Sequence, residues 1–239
     1  MADEEETAAP TYSVEYLGAG KTEEPIGWIS KAGKANVKYA NGDTYCGDYN
    51  ELKQRHGRGR YTYIRKGNEE DEEAKPTTSV YDGDFRLGKK HGMGTMTYPD
   101  GGKYNGSWEN DKKHGNGSYE YANGDIYNGA WVEDKKNGAG SYYYASNKSQ
   151  LVGEWKDNKY VKGKWVHKDN TSYHSSFDNN LPVGNGIYYF AKSGNQMDGT
   201  YSTESKGEDE GEEGGAPSST WVSGSLTKAS VNAIDLTQS

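Results

Sequence analysis

Histidines recur at one position in three stretches of the chain, and imidazole is well suited to binding metals or moving protons near neutral pH. His56, His91 and His114 each open a His-Gly-x-Gly tetrapeptide. If each stretch contributes two strands to a sheet, equivalent residues lie ~9.5 Å apart. Zinc ligands lie only ~2.0–2.1 Å from their ion, so this row cannot converge on one metal. We therefore predict no metal site and expect these histidines to pack at turns.

The glycines after each histidine, as in Gly57-Arg58-Gly59, invite comparison with loops that bind nucleotide phosphates. Such a loop lies between a strand and the N-terminus of a helix. Here the residues alternate with period two on both sides, which is typical of strands. No nucleophile, base and orienting residue occur together at a convincing spacing. We therefore predict no cofactor and no enzymatic activity.

Lysine pairs form a second row of candidates at identical offsets. The row consists of Lys89, Lys90, Lys112, Lys113, Lys135 and Lys136. Charged residues next to turns are normally just solvated, but a basic strip could also bind acidic partners. The candidates are anionic lipid headgroups, acidic tubulin tails and the acidic segments of this chain itself. Sequence-specific nucleic-acid binding is not expected, because the sequence has no recognition helix or RNA-binding motif.

The composition limits the elements that could position such residues. The chain has 239 residues with 33 glycines and 21 tyrosines, and Leu, Ile, Val and Phe are scarce. This disfavours a conventional two-layer core, a Rossmann domain and a TIM barrel. No stretch approaches the ~18 apolar residues of a membrane span. The one cysteine, Cys46, excludes an intrachain disulfide and indicates a reducing, intracellular compartment.

Acidic residues are clustered in three runs, at residues 3–6, 69–73 and 204–213. Like-charge runs repel and stay solvated. We predict a disordered acidic N-terminus at 1–12, a repeat domain at 13–201 with an acidic insertion at 66–79, and an acidic low-complexity tail at 202–239. Within the tail, residues 220–236 carry a sparse apolar set. They form either a loose terminus or a short segment that docks on a partner or folds back.

An internal repeat between residues 40 and 200 determines the predicted architecture. Each unit contains Tyr-x-Gly-x-Trp (or Phe) followed by Gly-x-Gly-x-Tyr-x-Tyr, so the aromatic residues and glycines of a strand share one face. The units begin at Tyr45, Tyr81, Tyr104, Tyr127, Leu151 and Tyr173, with a fragment at Met197. No unit could be stable alone, because it must bury this face with its neighbours.

The repeat predicts a long antiparallel meander of hairpins. The units are joined by pairs that accept the positive φ angles of type I′ turns. These pairs are Asn41-Gly42, Asp100-Gly101 and Asn123-Gly124. Glycines on the aromatic face leave gaps, which we expect the rings of adjoining hairpins to cover.

The pattern Tyr-x-Gly-x-Trp then Gly-x-Gly-x-x-x-Tyr resembles the MORN repeat, and the His-Gly-x-Gly units and acidic tail are most similar to those of the MORN-repeat subunits of the radial spoke head. The resemblance implies an all-β fold, an elongated single-layer antiparallel meander of stacked β-hairpins flanked by disordered acidic segments. It implies a non-enzymatic structural scaffold in the axoneme of a cilium or flagellum, within the cytoplasm and cytoskeleton. The implied partners are other radial spoke head subunits, with a second copy of the chain as a further candidate. Integral membrane association is not expected.

The aromatic face is the strongest candidate for a binding site. A single sheet covers only part of its own face, and exposed Tyr and Trp dominate protein interfaces. We hypothesise a partner-binding groove lined by Tyr81, Phe85, Tyr104, Trp108, Tyr119, Tyr121, Tyr127, Trp131, Tyr142, Tyr144 and Trp155. The alternative is a membrane-apposed MORN-repeat adaptor that binds acidic phospholipids through the lysine rows.

Overall fold

The computed structural model describes residues 12–17, 29–65, 76–204 and 218–229. These residues form sixteen antiparallel strands and no helix, which confirms the all-β prediction. In chain order the strands are β1 (Ser13–Tyr16), β2 (Gly33–Lys38), β3 (Thr44–Tyr49), β4 (Arg55–Arg65), β5 (Thr77–Arg86), β6 (Lys89–Thr97), β7 (Lys103–Glu109), β8 (Lys112–Glu120), β9 (Ile126–Val132), β10 (Lys135–Tyr144), β11 (Ser149–Lys156), β12 (Lys159–Val166), β13 (Ser172–Asp178), β14 (Leu181–Phe190), β15 (Asn195–Glu204) and β16 (Ser218–Lys228).

The chain divides into two compact units, and each is a meander of hairpins. Residues 1–122 and 132–134 make up the first unit, which contains β1–β8. Residues 123–131 and 135–239 make up the second, which contains β9, except for its last residue, through β16. Within each unit, every strand pairs with the strand that follows it in the chain. The hydrogen bonding is therefore local in sequence, as in other stacked repeats.

One face of each meander carries an aromatic core. In β3, Tyr45 and Tyr49 are buried, whereas Cys46 between them is exposed. This alternation is expected of strands with one buried face. The opposite face is polar and carries exposed ion pairs, such as Arg58 Nη2 with Asp82 Oδ1 at 3.2 Å. Burying one face only is how a chain so poor in aliphatic residues obtains its core.

Tyrosine rings cover pairs of glycines that face each other within one hairpin. Gly106 of β7 lies opposite Gly117 of β8, and the Tyr104 ring lies over both. A Cβ added at Gly106 would lie 2.6 Å from the Tyr104 hydroxyl oxygen and 2.5 Å from the Gly117 Cα. We predicted that the ring would come from an adjoining hairpin, and this is wrong here. The ring comes from the same hairpin, because residues i and i+2 of a strand share a face.

A β-bulge explains the other glycine of each His-Gly-x-Gly. The register of β7 and β8 shifts between Gly106 and Trp108. On the facing strand, Gly115 has a φ of 63°, which glycine adopts without strain. At the bulge, the Tyr104 hydroxyl donates to the carbonyl of Ser107 at 2.9 Å. The first glycine therefore permits the bend, and only the second belongs to the aromatic face.

The type I′ turns lie within the repeat units instead of between them. Asn110 and Asp111, between β7 and β8, have φ angles of 51° and 71°, and a type I′ turn has positive φ at both central residues. In the predicted turn Asn41-Gly42 only the glycine has positive φ, at 90°. This fits a three-residue loop in which a type I turn precedes a left-handed glycine. The type I′ assignment is wrong there, and the same correction applies at Asp100-Gly101 and Asn123-Gly124.

The structure also changes two predicted boundaries. Residues 77–79 of the predicted insertion belong to β5 and pair with the end of β4. Residues 218–228 of the predicted tail form β16, which folds back onto β15. Residues 202–204 of the predicted tail belong to β15. Of the predicted flanking segments, residues 1–11, 66–75, 205–217 and 230–239 lie outside the described residues.

Candidate functional site

The structure divides the aromatic residues of the hypothesised groove into two sets. The first set is 5% exposed or less and consists of Tyr81, Phe85, Tyr104, Trp108, Tyr127, Trp131 and Trp155. The second set is half-buried and consists of Tyr119, Tyr121, Tyr142 and Tyr144. The first set is the core of the fold, so the ring surface that a partner can reach belongs to the second.

The buried rings pack edge to face across successive hairpins. The Trp108 ring stands at 90° to that of Tyr104 and at 83° to that of Tyr81, with centroids 5.2 and 5.3 Å away. Trp108 Nε1 donates to the Gly94 carbonyl at 3.1 Å. Such ring pairs contribute ~0.5–1.5 kcal/mol each beyond the area they bury. Because Tyr81 lies on β5 and Trp108 on β7, this packing joins one hairpin to the next.

The half-buried rings continue the core toward solvent. In the first compact unit, the ring centroid of Tyr119 lies 5.6 Å from that of Tyr98 and 4.4 Å from that of Tyr121. In the second unit, the Tyr142 and Tyr144 centroids are 4.7 Å apart. Tyr98 was missed because Met96 replaces the first tyrosine of Gly-x-Gly-x-Tyr-x-Tyr there, although Tyr98 itself occupies the position of Tyr121. These rings are held by the core beneath them and present partly desolvated aromatic surface.

The six lysines also divide into two sets, because neighbouring residues of a strand point to opposite faces. Lys90, Lys113 and Lys136 lie over the aromatic face. Lys90 Nζ is 4.4 Å from the ring centroid of Trp108, and Lys136 Nζ is 4.7 Å from that of Trp155. Burial lowers the pKa of all three ammonium groups, and that of Lys136 falls to about 8. These cations pack on ring faces and contribute to the aromatic surface.

The other lysines, Lys89, Lys112 and Lys135, are exposed. Lys112 Nζ lies 3.3 Å from Glu133 Oε2, and Lys135 Nζ lies 3.1 Å from Asp157 Oδ1. Exposed ion pairs of this kind contribute only ~0–1 kcal/mol. The predicted basic surface of six lysines therefore reduces to three exposed side chains, of which two face carboxylates.

Arg55 of β4 occupies the position of the inward lysines, and the pattern of lysine pairs does not include it. Its guanidinium carbon lies 4.7 Å from the Tyr61 ring centroid and 5.3 Å from that of Phe85. Its Nη2 donates to the Gly88 carbonyl at 2.7 Å. The signal that could have found it is a basic residue directly before each His-Gly, which Arg55 shares with Lys90.

Each type I′ turn is bonded to the hairpin that precedes it. Asp111 Oδ1 accepts the Lys90 N–H at 2.8 Å, and the Asp111 N–H donates to the Lys90 carbonyl at 3.1 Å. The same two-point contact links Asp134 to Lys113 and Asn158 to Lys136. These bonds hold successive hairpin tips at a fixed spacing, which positions the rings and cations beside them.

Residues 45–65, 81–103, 104–126, 127–149 and 173–195 each match the MORN repeat. This chain contains MORN repeats. Five predicted unit starts coincide with the starts of these segments, and the predicted unit at Leu151 lies between the fourth and the fifth. MORN repeat-containing protein 3 of Xenopus laevis is 36% identical over 89 residues. The match covers 34% of this chain and 32% of that protein, so the chain aligns with about a third of its relative's length.

The predicted unit that begins at Leu151 takes its covering tyrosine from its second strand. Tyr160 of β12 is fully buried, and its hydroxyl is bonded to the carbonyls of Val152 at 2.9 Å and Lys164 at 3.1 Å. Its ring lies against Gly163. Leu151 therefore leaves the fold intact. The signal for this replacement, Tyr-x-x-Gly within a strand, was not recognised in the sequence.

Buried carboxylates fix two of the loops that precede MORN units. Asp125 accepts the Tyr142 hydroxyl and the Ala145 N–H, both at 2.9 Å. Burial acts to raise the pKa of this carboxyl, but the hydrogen bonds outweigh it and hold the pKa below its usual value. Asp43, in the loop between β2 and β3, makes the equivalent bonds to the Tyr61 hydroxyl and the Ile64 N–H. Both were missed as structural residues, although each directly follows an Asn-Gly pair.

The three histidines of the row lie on three different strands, β4, β6 and β8. His56 is exposed, and His91 and His114 are half-buried. His114 Nδ1 lies 3.7 Å from Glu109 Oε2. Among the residues that the structure describes, no three potential metal ligands cluster. Within the same residues, no helix is long and apolar enough to span a bilayer.

Proposed function

We propose that this chain is a non-enzymatic scaffold of the axonemal radial spoke head, where it binds other head subunits and supports the motility of the cilium or flagellum. The MORN repeats support a repeat-based scaffold or adaptor. The His-Gly-x-Gly units and the acidic run at 204–213 support the spoke head through their resemblance to its MORN-repeat subunits.

One observation carries the binding role, namely the half-buried rings at equivalent positions of successive MORN units. Tyr119 and Tyr121 occupy these positions in the MORN unit at residues 104–126, and Tyr142 and Tyr144 occupy them in the MORN unit at residues 127–149. Aromatic side chains are the commonest anchors of protein interfaces, and anchors held rigidly lose little entropy on binding. The two hydrogen bonds that join each hairpin tip to the preceding hairpin supply this rigidity. Within either compact unit, a partner segment that crosses the strands would therefore meet rings that are already held in place.

Affinity purification from axonemes tests this function. The full chain is tagged in a ciliated cell, and the proteins that co-purify after salt extraction of the axonemes are identified. We expect spoke-head subunits with the wild type and a several-fold loss with Tyr121→Ser/Tyr144→Ser. The matched control is Asn105→Ser/Asn128→Ser, at exposed positions of the polar face. Absence of spoke-head subunits overturns the spoke-head assignment, and equal recovery with the tyrosine variant overturns the role of the rings.

The alternative function is a membrane-apposed adaptor that binds acidic phospholipids. Its surface would be Lys89, Lys112 and Lys135, and each basic residue near an anionic membrane contributes only ~1 kcal/mol. Flotation of the full chain with vesicles of acidic phospholipid at physiological salt separates the two functions. Firm binding that is lost when all three lysines are changed to Gln would favour the membrane adaptor over the spoke-head scaffold.

A further inference from the structure

An open apolar cavity lies on the aromatic face of the second unit, beside its last hairpins. Its volume is about 890 Å³, and its lining includes Tyr188, Phe190, Met197, Trp221, His167 and Lys168. This volume is within the ~300–1,000 Å³ of typical ligand sites. Leu226, which is 62% exposed, pairs directly with Met197 and therefore lies on the same face. The apolar surface thus extends from the cavity onto β16.

The chain leaves β16 next to this cavity. Lys228, the last residue of β16, pairs with Asn195 of β15, which in turn pairs with Phe190 of the cavity lining. Two strand spacings separate Lys228 from Phe190, or ~10 Å. The Ala229 N–H donates to the Gly194 carbonyl at 3.1 Å and holds the chain at this end of the ladder. Residues 230–236 follow directly, and seven residues can span up to ~23–25 Å.

We propose that residues 230–236 of this chain dock in the cavity. Their sequence, Ser-Val-Asn-Ala-Ile-Asp-Leu, supplies apolar side chains at Ile234 and Leu236 on either side of the acidic Asp235. The cavity offers the complementary set of groups, an aromatic and thioether floor with Lys168 at its rim. The neighbouring Asp169 carboxylate is already bonded to the N–H of Thr171 at 3.0 Å. Lys168 is exposed and has no ion-pair partner within the described part of the chain, so it is available to Asp235.

This contact would finish the array as a terminal cap does in other repeat proteins. β16 already caps part of the array, because its Trp221 ring covers Gly199 of β15. The same ring packs on Tyr188 and Tyr201. The docked segment would cover the apolar surface that β16 leaves open. The inference concerns contacts within the chain and does not depend on the radial spoke head.

A labelled peptide of residues 229–239 measures whether the site is occupied by the chain's own segment. Its fluorescence anisotropy is titrated with the full-length wild type and with full-length Ile234→Asp/Leu236→Asp, which disables the segment in cis. We expect the peptide to bind the variant at least ten-fold more tightly than the wild type, because the wild-type segment competes. The control Asn232→Asp/Gln238→Asp adds the same charge at polar positions and should behave as the wild type.

Two further variants locate the peptide on the cavity. Met197→Asp or Leu226→Asp is added to the chain that carries Ile234→Asp/Leu236→Asp, and either change should abolish peptide binding. Leu226 is exposed enough that its change leaves folding intact. Equal affinity for the wild type and Ile234→Asp/Leu236→Asp overturns the proposal. So does a lack of binding to either chain, or binding that survives the Leu226→Asp change.

Discussion

At the scale of single residues, the two glycines of each His-Gly-x-Gly are required for different reasons. Gly115 adopts a left-handed φ at the bulge, whereas Gly117 leaves room for the Tyr104 ring. The lysine directly before each motif folds onto the same aromatic face, as Lys113 does over Tyr119 with Nζ 5.1 Å from the ring centroid. One short sequence therefore sets the bend, the ring position and the cation of a hairpin.

Gly106→Ala tests the closeness of packing under the tyrosine. The added methyl would meet the Gly117 Cα at 2.5 Å, and this contact is with backbone and cannot be relieved by a side-chain rotation. Overpacking of this kind costs ~1–3 kcal/mol. We expect the free energy of unfolding, measured with urea, to fall by that amount. Ser107→Ala, next in the strand and on the other face, should change it by less than ~0.5 kcal/mol. Similar values for both variants would contradict the close packing.

The lowered pKa of Lys136 predicts a stability that rises with pH. The folded pKa is about 8, whereas an unfolded lysine titrates near ~10.4. Between these values only the unfolded state holds the proton, so raising the pH favours the folded state. Below pH 8 both states are charged, and the penalty for burying the ammonium is fully present.

Comparison with Lys136→Met isolates this contribution. The difference in unfolding free energy between the wild type and the variant should shift in favour of the wild type from pH 7 to pH 10. The buried tyrosines, whose pKa values are raised by burial, are common to both proteins and cancel in the difference. A difference that stays constant over this range would show that the Lys136 amine titrates as a solvated one.

At the scale of strands and turns, alternation predicted most of what the structure shows. Strand type, the shared aromatic face and five unit starts follow from period two and the repeat. The turn types did not follow, because Asn-Gly is compatible with both loop kinds and only the φ of Asn41 distinguishes them. The inward set of lysines could have been predicted, since Lys89 and Lys90 are adjacent in one strand. Tyr160 was missed, because its role passes from one strand of a hairpin to the other and its signal, Tyr-x-x-Gly, differs from the repeat pattern.

Substitutions at Asp111 test the bonds between hairpin tips. Asp111→Gly keeps the positive φ but removes the acceptor of the Lys90 N–H, and we expect a loss of about 1 kcal/mol in unfolding free energy. Asp111→Asn should be nearly neutral, because Asn158 accepts the Lys136 N–H in the same way at 2.9 Å. Urea unfolding of the two variants beside the wild type decides the matter. If glycine is as stable as asparagine, the side-chain bond does not hold the tips together.

At the scale of the whole molecule, the described strands of each compact unit pair only with their sequence neighbours, so the stability of a unit is a sum of local contacts. In such an array a defect at one end is expected to loosen the nearest hairpins and leave distant ones unchanged. β16 folds back onto β15 and so extends this array beyond the fragment at Met197, where the repeat pattern ends. It was not foreseen as a strand because its sequence, Ser-Ser-Thr-Trp-Val-Ser-Gly-Ser-Leu-Thr-Lys, departs from the Tyr-x-Gly-x-Trp pattern.

Trp221→Ala should expose this locality. The half-buried Trp221 has its ring centroid 5.1 Å from those of Tyr188 and Tyr201, and the ~3–5 kcal/mol lost on truncating a fully buried Trp is an upper bound for it. We expect amide hydrogen exchange to accelerate in β14 and β15 and to stay at the wild-type rate in β5–β7. Val222→Ala, on the opposite face and 59% exposed, is the matched control and should leave exchange unchanged throughout. Acceleration in every strand would mean that the chain unfolds as one cooperative body, and unchanged exchange in β14 and β15 would mean that β16 does not support them.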